Sequence, residues 1–171
     1  MLQRPSSEEH SPYFTGYISQ VPEGDYLSFL HSQLDAVVAL FSPINDKQGL
    51  YRYEPGKWSL KEVLGHITDT ERIMSYRMLR IARGDTTNLP GFDQDLFIDN
   101  ASFDDLSMED LLNDFQAARQ ATFSLLKTIS EEAWSRKGIA NNNEISARAL
   151  AYVIAGHAQH HLVVIQQKYN D

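Results

Sequence analysis

His157 and His161 are the residues whose type and spacing point most directly to chemistry. They lie four positions apart in a stretch, Leu150 to Ile165, whose apolar residues recur at helical spacing. At about 100° per residue they differ by about 40°, so both imidazoles project from one helix face, one turn apart. That spacing can bring two ring nitrogens onto one tetrahedral or octahedral ion. Val153, Ile154, Val164 and Ile165 fall within about 60° of Leu150, and both histidines lie between them. Each imidazole left unpartnered in a core stripe would cost about 1–3 kcal/mol. A metal ion satisfies one nitrogen of each, leaving the other to donate to a carboxylate, a carbonyl or water. A hydrogen-bonded pair of core histidines, or a rotated helix that exposes both, would also meet the requirement.

Two histidines make an incomplete site, because protein metal sites usually take at least three protein ligands. His66 is the best third candidate. It flanks the apolar stripe of an earlier helix, beside the line of Thr70, Ile73 and Arg77, and can face a cleft between the two helices. Three nitrogens would leave a position for water, as in catalytic rather than closed structural sites. Taken alone, His66 reads equally as a half-exposed surface residue. Imidazole ligands suit several divalent metals, so the sequence predicts one divalent ion without choosing it. His160 is rotated about 60° from His157 and is a candidate to support the site, to lie on a dimer surface, or simply to be solvated. His31 edges another helical stripe and is a candidate to reach the cleft, and His10 is expected in a mobile N-terminal segment. Glu62, one turn before His66, can orient it or bind metal, although a capping role already explains it. No metalloprotease H-E-x-x-H, phosphate-binding glycine loop, nucleophile elbow or paired Glu-x-x-His motif is present.

Four amphipathic segments must position these residues. The first is expected from Asp25 to Phe41, with Leu27, Leu30, Leu34, Val37, Val38 and Phe41 inward and Pro43 as its stop. The second is expected from Ser59 to Arg83, opened by the capping-box pair Ser59 and Glu62 and ended by Gly84. The third starts at Ser107, with Glu109 and Asp110 suiting the helix dipole and Leu111, Phe115, Ala118, Thr122, Leu125 and Ile129 forming the stripe. A short helical turn is expected at Glu131–Trp134, and the fourth helix from Ser146 to Tyr169. No period-2 alternation predicts a sheet. The fold class is therefore all-α: a four-helix bundle, read as one domain over residues 1–171. Its connections of roughly fifteen to twenty residues are long against the usual bundle loops of about 2–8. They either cross the bundle or cover something. In the stretch from Asp85 to Leu106, Phe92, Phe97 and Phe103 can pack on the bundle while polar residues face a cavity; a solvated crossover with a few anchoring rings is the alternative.

Composition narrows the function. A net charge of −8 with no Lys/Arg run argues against nucleic-acid or anionic-membrane binding. The 171 residues include no cysteine, which removes disulfides, thiolate ligands and a cysteine nucleophile, and suits a reducing cytoplasm. The polar start, Met1 to Glu9, does not resemble a signal peptide, and no apolar run approaches the roughly 20 residues of a membrane span.

Between Tyr51 and Tyr169 the sequence resembles the DinB-like (DinB/YfiT) family of metal-binding bundles. The likeness is carried by Trp58-Ser59-Leu60-Lys61-Glu62-Val63-Leu64-Gly65-His66-Ile67 and by Gly156-His157-Ala158-Gln159-His160-His161-Leu162, with support from Pro90-Gly91-Phe92-Asp93-Gln94-Asp95 and the Arg119 region. The resemblance implies up-down-down-up topology and a three-histidine site, His66, His157 and His161 here, holding zinc or nickel. It also implies frequent homodimerisation. Some members are S-transferases or isomerases that use a low-molecular-weight thiol; one branch carries a further histidine where this chain has Leu162, Val163 and Val164.

Two functions follow as expectations. One is a metal-dependent transferase using a small-molecule thiol and an electrophile, or a related hydrolase. The metal would lower the pKa of a thiol or water. Asp93, Gln94 or Asp95 are candidates to contact substrate, and Arg77 or Arg119 to bind a carboxylate, although surface salt bridges explain such residues as well. The other is a non-catalytic metal-binding or stress-linked interaction module.

Overall fold

The structure is a computed structural model and describes residues 2–169. Helices α1 (Thr15–Ile18), α2 (Tyr26–Phe41), α3 (Asp46–Gly49), α4 (Leu60–Ala82), α5 (Gln94–Ala101), α6 (Met108–Leu126) and α7 (Ala147–Lys168) follow one another, with a hairpin of β1 (Lys137–Ala140) and β2 (Asn143–Ser146) before α7. The long helices α2, α4, α6 and α7 form the bundle in up-down-down-up order.

Each long helix starts at a side-chain cap: Asp25, Ser59, Ser107 and Ser146 accept from the backbone N–H three residues on. The Ser59–Glu62 capping box forms in both directions, with Glu62 Oε2 accepting from Ser59 N at 2.7 Å. Gly84, at φ 85°, takes the left-handed turn just beyond α4. The short turn expected before the fourth helix is a 3-10 helix, Glu131–Ser135.

Leu64, Ile67 and Phe115 are fully buried in one core cluster, and Met78, Leu150 and Ala155 in another. Between α4 and α6 lies a buried ion pair. Arg119 donates through Nε at 2.8 Å and Nη2 at 2.9 Å to Glu71, and its Nη1 donates to Gln33 Oε1 at 3.1 Å. Gln33 in turn donates to Ala155 O at 2.9 Å, so one polar chain links all four long helices. Every member is hydrogen-bonded, as buried polar groups require. Arg119 already grips Glu71, which occupies its carboxylate-binding fork.

Three expectations need correction. Leu27, expected inward, is 42% exposed; Tyr26 takes the buried position and donates its hydroxyl to Ala151 O at 2.7 Å. The hairpin, which no alternation announced, pairs Lys137 with Ser146 and Ala140 with Asn143. Its inward residues on β1 are Gly138 and Ala140 while Ile139 is 41% exposed, so apolarity runs opposite to burial. Asn141 and Asn142 turn it at φ 51° and 61°, which asparagine tolerates. Finally, His10 is not in a loose segment: it bridges Ile145, and Ser11 N donates to Glu144 O at 3.0 Å. The hairpin's other side binds the loop after α4, Leu89 N donating to Ile139 O at 2.9 Å.

The connections at residues 42–59, 83–107 and 127–146 are long, as expected, and hold α3, α5 and the hairpin. Phe103 packs over Gly65, where an added Cβ would come within 2.5 Å of its ring. Phe92 is half-buried, and Phe97, 40% exposed, packs its ring 5.3 Å from that of Phe92.

Candidate metal centre

α4 and α7 make the most extensive helix pair, and the histidines sit on their shared face. His66 Nε2 lies 3.0 Å from His157 Nε2, and His161 Nε2 lies 3.2 Å from the same atom. His66 and His157 are 4% and 5% exposed; His161 is half-buried. Burial depresses all three pKa values: His66 to about 4, and His161 to about 3 with help from the neighbouring imidazoles. His157 is lowered by burial first and then by the charges of His161, His66 and His160. The rings are therefore neutral near pH 7, the state in which imidazole binds metal.

Hydrogen bonding alone does not account for this convergence. A neutral ring nitrogen carries either one proton or one in-plane lone pair. His157 Nε2 meets two other Nε2 atoms, so it cannot make two good bonds at once. A single divalent ion can accept a lone pair from each. With metal–nitrogen bonds of about 2.0–2.1 Å, neighbouring ligand nitrogens sit about 2.9–3.4 Å apart. The 3.0 and 3.2 Å separations from His157 Nε2 fall in that range. The donor set thus fits the ion that the sequence anticipates, and among the described residues His66, His157 and His161 are the cluster of metal-ligating side chains whose donor atoms all lie within 4.8 Å of one another.

Rings enclose the triad. Trp58 lies 4.7 Å from His66 and 6.4 Å from His161, centroid to centroid. Tyr17 packs edge-on against His157 at 5.4 Å, held close because α7 has glycine at position 156. A cavity of about 300 Å³ opens from His66 and His157 along α4, past Thr70 and Met74 to Arg77. Phe92, Gln94 and Asn141 line it from the loop and hairpin, and Tyr13, Phe14 and Tyr17 from the N-terminal segment.

The other sequence candidates distribute unevenly. Gln94 and Arg77 line this cavity. Asp93 caps α5 by accepting from Asp95 N and Leu96 N, and Asp95 faces a separate surface hollow beside Lys57 and Glu62. Glu62 is engaged with Ser59 and Arg52. His160 is exposed, 5.2 Å from the His161 ring and 6.0 Å from Tyr17. His31 stacks on Phe123 at 4.1 Å on the outer side of α2. Sequence reasoning did not single out Tyr13, Phe14, Tyr17 or Asn141. Gly156, inside an otherwise apolar helix, was the available sign that another backbone approaches there.

A family model described as the DinB superfamily matches residues 30–165, which span both histidine segments. The chain belongs to the DinB superfamily. A curated relative from Oceanobacillus iheyensis, named "Putative metal-dependent hydrolase", is 23% identical over 155 residues, covering 86% of this chain and 89% of its own. Among solved structures, YfiT from Bacillus subtilis, described as a probable metal-dependent hydrolase with an unusual four-helix bundle topology, superposes with a TM-score of 0.73 at 15% identity. That match covers 86% of this DinB-superfamily chain and 87% of YfiT. A mycothiol-dependent maleylpyruvate isomerase superposes with a TM-score of 0.67 at 14% identity, over 85% of this chain and 61% of the isomerase. At these identities the two structures bear on the fold. No helix among the described residues is long and apolar enough to cross a membrane.

Proposed function

We propose that His66, His157 and His161 hold one divalent ion, zinc or nickel, and that the protein is a metal-dependent hydrolase of a small organic molecule. The observation that carries this reading is the convergence of the His66 and His161 Nε2 atoms on His157 Nε2, at 3.0 and 3.2 Å. The names of the Oceanobacillus relative and of YfiT support the hydrolytic class. When bound, such an ion lowers the pKa of water toward neutrality and polarises a carbonyl or phosphoryl oxygen.

The chain's own residues supply the rest. Their low pKa values keep the three imidazoles available as lone-pair donors across the neutral range. Trp58 and Tyr17 wall the triad with rings, which keeps the dielectric low and strengthens electrostatic interactions within. No aspartate or glutamate lines the cavity, so a carboxylate general base is absent from its described walls. A volume of about 300 Å³ suits one small molecule with a water. Thiol transfer to an electrophile is the second reading. The thiol dependence in the isomerase's name supports that second reading.

Elemental analysis of untagged protein, beside the His157→Ala/His161→Ala variant, tests the site. The expected result is about one equivalent of zinc or nickel in the parent and none in the variant. No uptake by the parent after incubation with either metal at neutral pH would refute it. Ester, amide and thiol-transfer substrates then separate the two reactions by which turnover is lost on metal removal.

A further inference from the structure

Arg77 is 3% exposed, yet no aspartate or glutamate forms an ion pair with it among the described residues. Its Nη2 donates to Pro90 O at 2.6 Å; its other contacts are the Met74 sulfur, 3.5 Å from Nη1, and the Phe92 ring at 5.8 Å. Anchoring one loop carbonyl needs a donor but not a buried full charge. A buried cation without a counter-charge is costly, and guanidinium geometry matches a carboxylate's two oxygens. Thr70, 2% exposed, carries a buried hydroxyl with no hydrogen-bond partner. Both residues line the same cavity as His66 and His157, and no acid lines it with them.

His66, Thr70 and Arg77 occupy positions i, i+4 and i+11 of α4, within about 40° of one another around the helix. The Cα atoms of His66 and Arg77 are separated by about 16 Å along the axis. Helical side chains lean toward the N-terminus, so the guanidinium is carried back toward the histidines. Between the two ends the walls are mostly apolar or aromatic: Phe14, Tyr17, Met74, Phe92 and Val153.

We infer that Arg77 forms an anion-binding end of the cavity, with the Thr70 hydroxyl donating to the same bound molecule nearer the triad, and that the cavity selects small carboxylic acids with a flat apolar body whose far end meets the histidines. The anion-binding half stands on Arg77 and Thr70; the orientation toward the triad rests on the metal site proposed above. In a chain of net charge −8, this pocket is a local positive site that would draw such acids in.

The test titrates benzoate, phenylacetate, their neutral amides and inorganic phosphate into the full chain, metal-stripped and zinc-treated, with NMR or calorimetric readout. The carboxylates are expected to bind at least about tenfold more tightly than the amides in both preparations. Arg77→Met should remove that preference, Arg77→Lys should keep part of it, and Thr70→Val should weaken carboxylate binding severalfold. The His161→Ala variant, at the member of the triad outside the cavity lining, should retain carboxylate binding while losing zinc, which separates failure of the metal site from failure of the anion site. Equal binding of acids and amides, preference for phosphate, or an unchanged Arg77→Met variant would overturn the inference. If Arg77→Met does not fold by circular dichroism, the acid-against-amide comparison in the parent and the Thr70→Val variant decide it.

Discussion

The carbonyl oxygen of Tyr17 lies where a side chain on Gly156 would have to go: an added Cβ would sit 1.9 Å from it. The backbone of α1 thus presses directly on α7 one residue before His157. Gly156→Ala should force the two apart, at about 1–3 kcal/mol, with faster hydrogen exchange across residues 12–21. Gly16→Ala, where an added Cβ meets nothing within 4 Å, is the matched control and should not speed exchange across residues 12–21. Equal effects from both substitutions would mean that the close approach does not hold the segment.

Arg119 and Glu71 are both almost fully buried. Arg119→Met leaves the Glu71 carboxylate and the Gln33 oxygen without their donor, and should cost about 3–5 kcal/mol in urea unfolding. Adding Glu71→Leu should recover much of that loss, because the unpaired charge is then gone. A double variant as unstable as the single would show that shape, rather than charge pairing, dominates at this point.

Ser59 caps α4 and also donates from Oγ to Asp104 Oδ1 at 2.5 Å. Ser59→Ala should therefore cost about 0.5–2 kcal/mol, with fraying of the turn that precedes His66. A lowered Tm with weaker zinc retention would link the cap to the site. Unchanged Tm would show that Glu62 alone secures this end.

The histidines also set a pH dependence for the metal-free protein. Burial holds His66 near 4 and, with neighbouring imidazoles, His161 near 3, while His157 is lowered by burial and by the other rings. Unfolded histidines titrate at about 6.5. Between those values the unfolded chain binds protons that the folded chain does not. Stability should be full above about pH 6.5, fall as the pH drops toward 4, and level off below the folded values. Thermal melts of metal-free protein should show that decline, and His66→Gln/His161→Gln should flatten it. An equally steep decline in the variant would assign it to other groups.

The sequence reveals the four long helices because their stripes and caps are local signals: Ser59 with Glu62, Ser146 before Ala147, Leu150 through Ile165. The histidines are legible for the same reason, since two lie four residues apart on a stripe that had to face inward. The hairpin is not, because it buries Gly138 and Ala140 and exposes Ile139. The inward position of Gly138 accepts only glycine, because a Cβ there would come within 2.7 Å of Ile81, a tertiary fact with no local trace. The N-terminal wall of the cavity was hidden too. Tyr13, Phe14 and Tyr17 have no long periodic pattern, and their place depends on a helix about 140 positions later.

That long-range closure has a consequence for how the protein comes to exist. Glu9 accepts from Ser146 and Arg148, Tyr26 reaches Ala151, and His66 meets His157, so the cavity's walls come from widely separated stretches of chain. On a ribosome, α2, α4 and α6 can emerge and begin to associate, but the groove intended for α7 stays open until that helix has left the exit tunnel. His66 would wait there with an incomplete set of partners. With the proposed site, synthesis would therefore set the earliest moment at which an ion could bind: loading would follow translation of α7 rather than accompany the growth of the chain.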